Sequence, residues 1–384
     1  MRDNGIDIII AVGHSGFETD LKIAKQVPYV DVVIGGHTNT FLYTGNPPDS
    51  EIPANLYPVI VTQSSGRKVA VVQAYAYTKY LGVLNLKFDR AGELIEATGN
   101  PQLLNYKVPE DPEMLTALEP WKDAVANLTK KKLGRSKVFL DGDCRFFECN
   151  LGNLITDAFI HYGVMNHIGS GWARAPIALQ QAGGIRTSID VAKKDGFVTM
   201  EDVITTMPFS NTVGIYSIKG KYLLQALEWS VSRYDPHYNI GRGEFLQYSG
   251  IRVKYNLAKP PGFRVVKAMA RCGNCSIPEM SPIQHELTYN VIMPTFIAQG
   301  GDNFTMFTKH AREIITYDKM DTDIVAEFIE YRQIIYPELQ RRISFTTDDG
   351  DIKPNPLKNS AYHLNYSPFI LLLLTTISAG MVKF

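Results

Sequence analysis

The sequence predicts a mixed α/β (α+β) protein of two domains joined by a long helix. The first observation is a βαβ pattern: an apolar run, an amphipathic helical stretch and a second apolar run follow one another within residues 6–34. The second is a helical stretch at residues 108–133, with a proline near its start and a glycine just after its end. The third is that helical and strand patterns continue after it to about residue 346. With 384 residues, 45% of them hydrophobic, the chain is long enough for two cores.

The first domain is predicted to span residues 1–107. Its apolar runs at 6–12 and 31–34 are expected to form buried strands, with a helix at 20–26 between them. Shorter patterns follow, which predict hairpin-like strands at residues 59–62, 68–78, 81–88 and 94–98. The helix at 108–133 then serves as the link to the next domain.

The second domain is predicted to span residues 134–346, and residues 347–384 form a linker and a tail. Apolar residues at helical spacing predict helices at residues 151–161, 200–206, 222–234 and 323–335. Short apolar or alternating runs predict strands at residues 177–181, 213–218, 251–255, 265–270 and 287–293.

The charge balance bears on possible partners. Lys and Arg together number 39, and Asp and Glu also number 39. A protein that binds nucleic acid through its bulk charge carries an excess of basic residues. We therefore expect no nucleic-acid partner, although a local basic pocket is compatible with this balance.

The four cysteines fall into two close pairs, Cys144 with Cys149 and Cys272 with Cys275. Four cysteines allow three pairings, of which the local one is the simplest. The alternatives for the second pair are a redox CxxC motif or half of a zinc site. No second CxxC exists, and RCGNC does not open a helix. We predict two small-loop disulfides, which form in oxidising compartments.

N-glycosylation sequons agree with such a compartment. Asn127, Asn274 and Asn303 each begin an N-x-S/T pattern, and Asn365 does so within the tail. Because the pattern arises often by chance, each match alone is weak.

The tail predicts a membrane anchor. Small residues near Asn359 and Ser360 precede a short polar spacer and an apolar run at about 368–382. This run is shorter than the roughly 20 residues of a spanning helix and is typical of a GPI-attachment signal. An ordinary anchoring tail is the alternative. The first ten residues do not resemble a signal peptide, so we expect the natural N-terminus to lie upstream.

Two histidines follow predicted strands of the first domain. His14 and His37 each come after an apolar run and a glycine, one βαβ step apart. Adjacent parallel strands would bring both side chains to one sheet edge, where neighbouring glycines allow close approach of a ligand. Metal binding is one reading of this spacing, and two polar loop residues are the other.

Seven motifs carry a resemblance to a known family. They lie in order along nearly the whole chain: GHSGFETD, VDVVIGGHTNTFLYTGNPP, SSGRKVAVVQAYAYTKYLG, CRFFECNLGNLITDAF, GGIRTSID, GEFLQYSGIRVKYN and FIAQGGDNF. Together they resemble the 5′-nucleotidase family, in particular animal ecto-5′-nucleotidases and apyrase relatives. The resemblance implies a calcineurin-like metallophosphatase domain, a long helix and a nucleoside-binding α/β domain.

The same resemblance implies a metal centre. Members of the family hold two divalent ions, typically zinc, and His14 and His37 match two of their ligands. Two such ions activate a water and stabilise charge on phosphoryl oxygens. Asn39 lies in the same loop as His37 and is a weaker candidate for the site. The family's earlier motifs, which supply most metal ligands and the catalytic histidine, have no counterpart in residues 1–384. We therefore expect a metallophosphatase domain that lacks its N-terminal part and catalytic residues upstream of Met1.

Five residues of the second domain match substrate-binding positions of the family. Arg145 and Arg186 match arginines that reach the substrate, and a guanidinium binds phosphate bidentately. Phe209 and Phe296 match two aromatics that enclose the base, a contact that tolerates different bases. Asp302 matches an aspartate that accepts hydrogen bonds from ribose hydroxyls. Without the family context these residues are expected to be surface salt bridges, core phenylalanines and a turn residue.

Three departures from the family concern amides near this site. Gln181 stands where the family usually has asparagine, so its amide is displaced by one methylene and its contact with the base or ribose is expected to weaken. Gln299 likewise replaces a common asparagine. The sequon at Asn303 overlaps the substrate motif, and we predict that it carries no glycan.

The resemblance implies hydrolysis of extracellular nucleoside 5′-monophosphates, AMP giving adenosine and phosphate, at the outer face of the plasma membrane. An apyrase acting on ATP and ADP is an alternative. A fragment that binds nucleotide without turnover is another. The resemblance also allows a homodimer.

Overall fold

The computed structural model describes residues 5–234, 241–347 and 350–352. The predicted GPI-attachment residues Asn359 and Ser360 lie outside these ranges. The chain divides into two compact units, residues 1–119 (unit 1) and 120–384 (unit 2). No helix in the described ranges has the length and apolar character needed to cross a membrane.

Unit 1 is built on a sheet of mainly parallel strands with a hairpin beside it. Its elements are β1 (Ile10–Val12), α1 (Phe17–Gln26), β2 (Val32–Ile34), β3 (Val59–Thr62), β4 (Lys68–Val72), β5 (Tyr80–Phe88), β6 (Leu94–Leu103) and the start of α2 (Pro112–Thr129). The described strands form a four-stranded sheet of order β1-β2-β4-β3 and the hairpin β5-β6. Strands β1, β2 and β4 are parallel, and β3 is antiparallel to β4.

The predicted βαβ unit is present because α1 turns one apolar face to the sheet. Ala24 of the helix is fully buried against Val33, Val69 and Val71 of the strands. Because the strands are parallel, their connection must cross over the sheet, and α1 supplies that crossover.

Two predicted strands of unit 1 are shorter in the structure. The first begins to pair with β2 only at Ile10. The strand predicted at 68–78 ends at Val72, because Tyr75, Tyr77 and Thr78 have φ values of 64°, 57° and 54°, which interrupt an extended ladder.

The predicted linking helix is present as α2. The Asp111 carboxylate accepts hydrogen bonds from the backbone amides of Glu113 and Met114, at 2.8 and 3.0 Å, and so caps its first turn. The division into two units falls inside this helix, between Glu119 and Pro120.

Unit 2 contains the remaining elements. Its helices are α3 (Asn150–Met165), α4 (Met200–Thr206), α5 (Gly220–Ser230), α6 (Thr295–Ala298), α7 (Thr305–His310) and α8 (Asp321–Arg332). Its strands are β7 (Lys132–Ser136), β8 (Ile177–Gln181), β9 (Phe197–Thr199), β10 (Thr212–Lys219), β11 (Leu246–Ser249), β12 (Ile251–Asn256), β13 (Val265–Arg271), β14 (Met280–Pro282), β15 (Thr288–Pro294), β16 (Arg312–Met320), β17 (Ile334–Ile335), β18 (Ile343–Thr347) and β19 (Gly350–Ile352).

The main sheet of unit 2 has the order β11-β8-β15-β10-β16 among the described strands. A second sheet follows the order β14-β13-β12-β18-β19, and a third the order β17-β7-β9. The apolar helix α3 packs against β8, β11 and α8. One continuous apolar core results, in which side chains such as Phe159, Leu179 and Ile292 are fully buried.

Both predicted disulfides are present in unit 2. Cys144 pairs with Cys149 over a Cα–Cα distance of 5.1 Å, and Cys272 pairs with Cys275 over 5.9 Å. The local pairing therefore holds, and the redox and zinc-site readings of RCGNC are not needed.

Candidate functional site

One edge of the main sheet of unit 2 collects the predicted substrate residues. Parallel strands β8 and β15 both end there, at Gln181 and Pro294. Strands β10 and β11 are antiparallel to their neighbours and begin there, at Thr212 and Leu246. We call this edge, defined by these four residues, the site edge.

The two predicted aromatics flank neighbouring strands at the site edge. Phe209 precedes β10, and Phe296 lies in α6 directly after β15. A hydrogen bond of 3.3 Å between the hydroxyls of Thr212 and Thr295 ties the two segments together. Phe209 is 56% exposed and Phe296 40%. The alternative reading of both as core phenylalanines is therefore wrong.

The turn after β8 presents Arg186. Its backbone amide donates to the Thr206 carbonyl oxygen at 2.9 Å, and its Nη1 donates to the Gly183 carbonyl oxygen at 3.2 Å. Its guanidinium lies 5.7 Å from the centroid of the Phe209 ring, within the range of a cation–π contact. The cation and the exposed ring thus adjoin each other.

Arg145 lies in the disulfide loop, which is held to the site edge by Gln247. The Gln247 side chain is fully buried; its Nε2 donates to the carbonyl oxygens of Cys144 and Phe147 at 2.9 and 2.7 Å. Its Oε1 accepts from the Cys149 amide at 3.2 Å. Every hydrogen-bonding group of this amide thus serves one loop, and the half-buried Arg145 is carried by a rigid support.

Asp302 occupies a strained position at the same edge. It has φ 50° and ψ 27°, in the left-handed region. Its carbonyl oxygen accepts from the Trp229 indole nitrogen at 2.9 Å. A Cβ atom added to Gly183 or Gly243 would lie 3.4 or 3.5 Å from its Oδ2. Two backbone segments thus approach the carboxylate closely at glycines.

The charge around Asp302 is mixed. Burial raises the pKa of this carboxyl, and the nearby Glu244 carboxylate raises it further, while Arg145 and Arg233 oppose the rise. Glu244 is itself buried and paired with Arg233, with 2.8 Å between Oε1 and Nε. The guanidinium of Arg145 is therefore close enough to Asp302 to act on its charge.

Gly301 covers one side of the Phe296 ring. A Cβ atom on Gly301 would lie 2.5 Å from the Phe296 ring, so the backbone there packs closely against it.

Gln299, one of the departures from the family pattern, is exposed, and so is Asn303 beside Asp302. The absence of a glycan on Asn303 stays a prediction.

In unit 1 the structure brings the two predicted histidines together. The rings of His14 and His37 have centroids 5.1 Å apart, because parallel strands β1 and β2 end side by side. Both residues are exposed, as is Asn39, which follows with φ 52°. The predicted juxtaposition is present.

A buried carboxylate braces the two histidine loops. Asp20 is fully buried, and its oxygens accept from Ser15 Oγ and Gln73 Nε2, each at 2.7 Å. The Gln73 amide also donates to the Gly36 carbonyl oxygen at 3.0 Å. Both carboxylate oxygens of Asp20 therefore accept hydrogen bonds that hold the two loops in place.

The fit of this pair to a metal is partial. Zinc in proteins takes four ligands at structural sites and three protein ligands at catalytic ones. Across residues 5–234, 241–347 and 350–352, no group of three or more His, Cys, Asp or Glu side chains is placed to hold a metal ion. The pair thus offers two imidazoles, fewer than the three or four protein ligands of such zinc sites.

Three residues around Asp302 and Arg145 were not identified from the sequence: Gln247, Trp229 and Glu244. Gln247 lies inside the motif GEFLQYSG, but its spacing to the disulfide loop carries no signal. Trp229 and Glu244 contact or influence Asp302 although both are far from it in the sequence. The contacts arise only when the sheet assembles.

Comparison with known proteins shows what this chain is similar to. A sequence model of the 5′-nucleotidase C-terminal domain matches residues 129–309. The chain is 45% identical to the 5′-nucleotidase of Homo sapiens over 352 residues, which cover 90% of this chain and 60% of that protein. It is 42% identical to the snake venom 5′-nucleotidase of Macrovipera lebetinus over 344 residues, covering 89% of this chain and 83% of that protein.

A solved structure shows a similarity to the same family. The 5′-nucleotidase precursor of Thermus thermophilus matches with a TM-score of 0.73 and 34% identity, over 90% of this chain and 65% of that one. The chain spans about 60% of the length of the human and bovine relatives.

Proposed function

The chain belongs to the 5′-nucleotidase family, and from this premise we propose that the whole protein hydrolyses nucleoside 5′-monophosphates such as AMP to nucleoside and phosphate. The observation that carries the proposal is the convergence of complementary groups at the site edge. Two exposed rings, two guanidinium groups and one carboxylate lie on segments that adjoin it or are held to it by hydrogen bonds.

Each group suits one part of a nucleotide. Phe209 and Phe296 offer exposed faces on which a base stacks, a contact worth roughly 1–3 kcal/mol per base. Asp302 accepts hydrogen bonds from vicinal hydroxyls of a ribose. Arg145 and Arg186 supply planar donors for phosphate oxygens. A site of this composition binds a nucleoside with at least one phosphate.

We propose that His14 and His37 contribute to a divalent-metal site, with zinc as the ion that suits imidazole nitrogen. When bound, such an ion lowers the pKa of a coordinated water and stabilises charge on phosphoryl oxygens. The part played by the chain itself is to hold two imidazoles at adjacent strand ends, with Asp20 and Gln73 bracing both loops.

We also propose that the protein acts at the outer cell surface on a GPI anchor attached near Asn359 or Ser360. The two disulfides and the exposed sequon residues Asn127 and Asn274 support an oxidising compartment. Release of the native protein from intact cells by a phosphatidylinositol-specific phospholipase would support this proposal, and retention after treatment would oppose it.

The first experiment measures equilibrium binding of AMP to the chain. The variants Phe209→Ala and Phe296→Ala should each weaken binding by about 5- to 100-fold, because each removes one stacking face. Phe263→Ala is the matched control, since Phe263 is 70% exposed and lies in the loop between β12 and β13, which belong to the second sheet of unit 2. Unchanged affinity in both site variants would refute the nucleotide site.

The second experiment measures phosphate release from AMP, ADP and ATP by the native protein with added Zn²⁺. Release from AMP alone fits the proposed activity. Release from ADP and ATP would identify an apyrase, and AMP binding without release from any of the three would identify a binding protein.

A further inference from the structure

A dense basic run, KKKLGRSK, occupies residues 130–137 and follows α2 directly. It contains five basic residues and no acidic one. Short runs rich in Lys and Arg are typical of patches that bind nucleic acid or heparin. Because basic and acidic residues balance over the whole chain, this concentration of charge is a local feature.

A β-bulge brings three of these cations to one face of β7. Beside Lys132, strand β7 advances by two residues while its partner β9 advances by one. In a regular strand Lys132 and Arg135 would point to opposite faces, and the extra residue of the bulge changes that alternation. Both side chains are exposed, as is Lys137 directly after the strand. We call these three residues the basic stripe.

The ring of Phe197 in β9 holds two cations of the basic stripe. Lys132 Nζ lies 4.0 Å and the guanidinium carbon of Arg135 4.2 Å from the ring centroid. Both distances are those of cation–π contacts. The contacts restrain two long side chains on the exposed face, which lowers the entropy lost when a ligand binds to them.

Within the described part of the chain, no acidic side chain forms an ion pair with the basic stripe. The neighbouring lysines differ in this respect: Lys131 pairs with Glu330 at 2.6 Å and Lys194 with Asp202 at 2.5 Å. Two like charges that share one ring repel each other, so stability alone does not favour this arrangement. An anionic ligand would compensate both charges.

The arrangement and the compartment together favour a linear polyanion. The three cations follow one another along a strand, so the first and the last are about 15 Å apart. Nucleic acid lies inside the cell, and anionic lipids lie mainly in the cytoplasmic leaflet of the membrane. The two disulfides favour an oxidising compartment instead. The linear polyanions found outside cells are sulfated polysaccharides.

We propose that the basic stripe binds a sulfated polysaccharide of the cell surface or the extracellular matrix. This adds a binding function to the proposed hydrolysis, and the choice of polysaccharide over lipid rests on the proposed extracellular location. The planar guanidinium of Arg135 suits two oxygens of one sulfate group, and the two lysines act as point charges for further groups.

The test measures the affinity of the native protein for heparin at increasing NaCl concentration. In the triple variant Lys132→Gln/Arg135→Gln/Lys137→Gln the affinity at low salt should fall by about 10- to 100-fold, because three charge contacts are lost. The slope of log affinity against log NaCl concentration should decrease in magnitude by about 2–3, because each contact with a polyanion releases roughly one counterion.

The matched control is Arg252→Gln/Lys259→Gln/Lys267→Gln. These residues are also one arginine and two lysines, all exposed, and they lie in β12, in β13 or between these strands. The control changes the net charge by the same amount. It should bind heparin within about 2-fold of the wild-type affinity, because salt screens charges that do not contact the polysaccharide.

Lysine acetylation of the wild-type chain, mapped by mass spectrometry, gives a second readout that needs no variant. Heparin should protect Lys132 and Lys137 from acetylation and leave Lys259 and Lys267 reactive. Should the triple variant not fold, this pattern decides, and equal reactivity of Lys132 and Lys137 with and without heparin would overturn the inference.

The other outcomes are equally decisive. Failure of the native protein to bind heparin, or equal losses in the two triple variants, would overturn the inference. Binding to phosphatidylserine vesicles in place of heparin would identify a membrane surface and overturn it as well. None of these measurements uses AMP, so the proposed nucleotide site is tested separately by its own experiments.

Discussion

Gln247 donates its side-chain amide to the carbonyl oxygen of Cys144 over 2.9 Å, although 103 residues separate the two in sequence. The disulfide closes the 144–149 loop, but a closed loop still has to be placed. The buried Gln247 supplies that placement through three hydrogen bonds. Arg145 therefore reaches the site edge from a loop with two independent restraints.

The variant Gln247→Met tests this support. It keeps the side-chain volume but leaves two carbonyl oxygens and one amide of the loop without their partner. If Arg145 binds phosphate, AMP should bind about 10-fold more weakly, whereas adenosine, which has no phosphate, should bind within about 2-fold of the wild-type affinity. Equal losses for both ligands would mean that the variant damages the whole site instead of the placement of Arg145.

Asp302→Asn tests the proposed contact between this carboxylate and the ribose hydroxyls. An amide accepts through one oxygen and carries no charge, so its hydrogen bonds to hydroxyls are weaker. AMP affinity should fall by about 10-fold. The analogue 2′,3′-dideoxy-AMP lacks both hydroxyls and should bind the variant and the wild-type chain alike. A comparable loss for the analogue would show that Asp302 acts on something other than the ribose.

Asp302 also predicts a pH dependence of binding. Because burial raises the pKa of its carboxyl, the residue becomes protonated at a higher pH than an ordinary aspartate. AMP binding should therefore weaken on acidification from neutral pH, and this weakening should be smaller in Asp302→Asn. Titrations of affinity against pH for both chains check the difference; identical profiles would contradict the assignment.

The fold was predictable wherever local pattern decides the structure. The βαβ unit follows from its apolar runs, and the parallel strands then bring His14 and His37 to a centroid distance of 5.1 Å. Strand β16 (Arg312–Met320) was not predicted, because it lies at the edge of its sheet and all nine of its residues are exposed or half-buried. It has no apolar run to find.

The supports of the site were not predictable from spacing. Gln247 is an ordinary glutamine in the sequence, and only the pairing of β11 with β8 brings it to the site edge. Arg145 and Asp302 were identified through motifs of a family. The residues that hold them depend on contacts made across the sheet, which one sequence does not encode as a local pattern.

His14 and His37 predict measurable metal binding by this chain. A pair of imidazoles binds Zn²⁺ weakly in comparison with a four-ligand site. Titration of the chain against a zinc indicator dye should show binding that His14→Ala and His37→Ala each remove. His285→Ala is the control, since His285 is an exposed histidine of unit 2. Zinc binding that survives in both unit 1 variants would place the metal elsewhere.

Asp321 predicts how the stability of unit 2 changes with pH. It is 2% exposed at the start of α8, where its carboxylate accepts from the Thr322 amide at 2.8 Å and from Asn211 Nδ2 at 3.4 Å. Burial outweighs these hydrogen bonds and raises its pKa to about 6, from 3.8. Folding therefore favours the protonated form. This contribution to stability is complete below about pH 4 and is lost as the pH rises through about 6.

Asp321→Asn removes this titration. Relative to the variant, the wild-type chain should lose about 3 kcal/mol of unfolding free energy between pH 4 and pH 7, because a rise of the pKa from 3.8 to about 6 corresponds to that amount. All 3 tryptophans lie in unit 2, so their fluorescence during denaturation reports its unfolding. Asp323→Asn, in the same turn of α8, is the control and should follow the wild-type curve. A difference between wild type and Asp321→Asn that stays constant from pH 4 to pH 7 would mean that Asp321 is ionised with an ordinary pKa despite its burial.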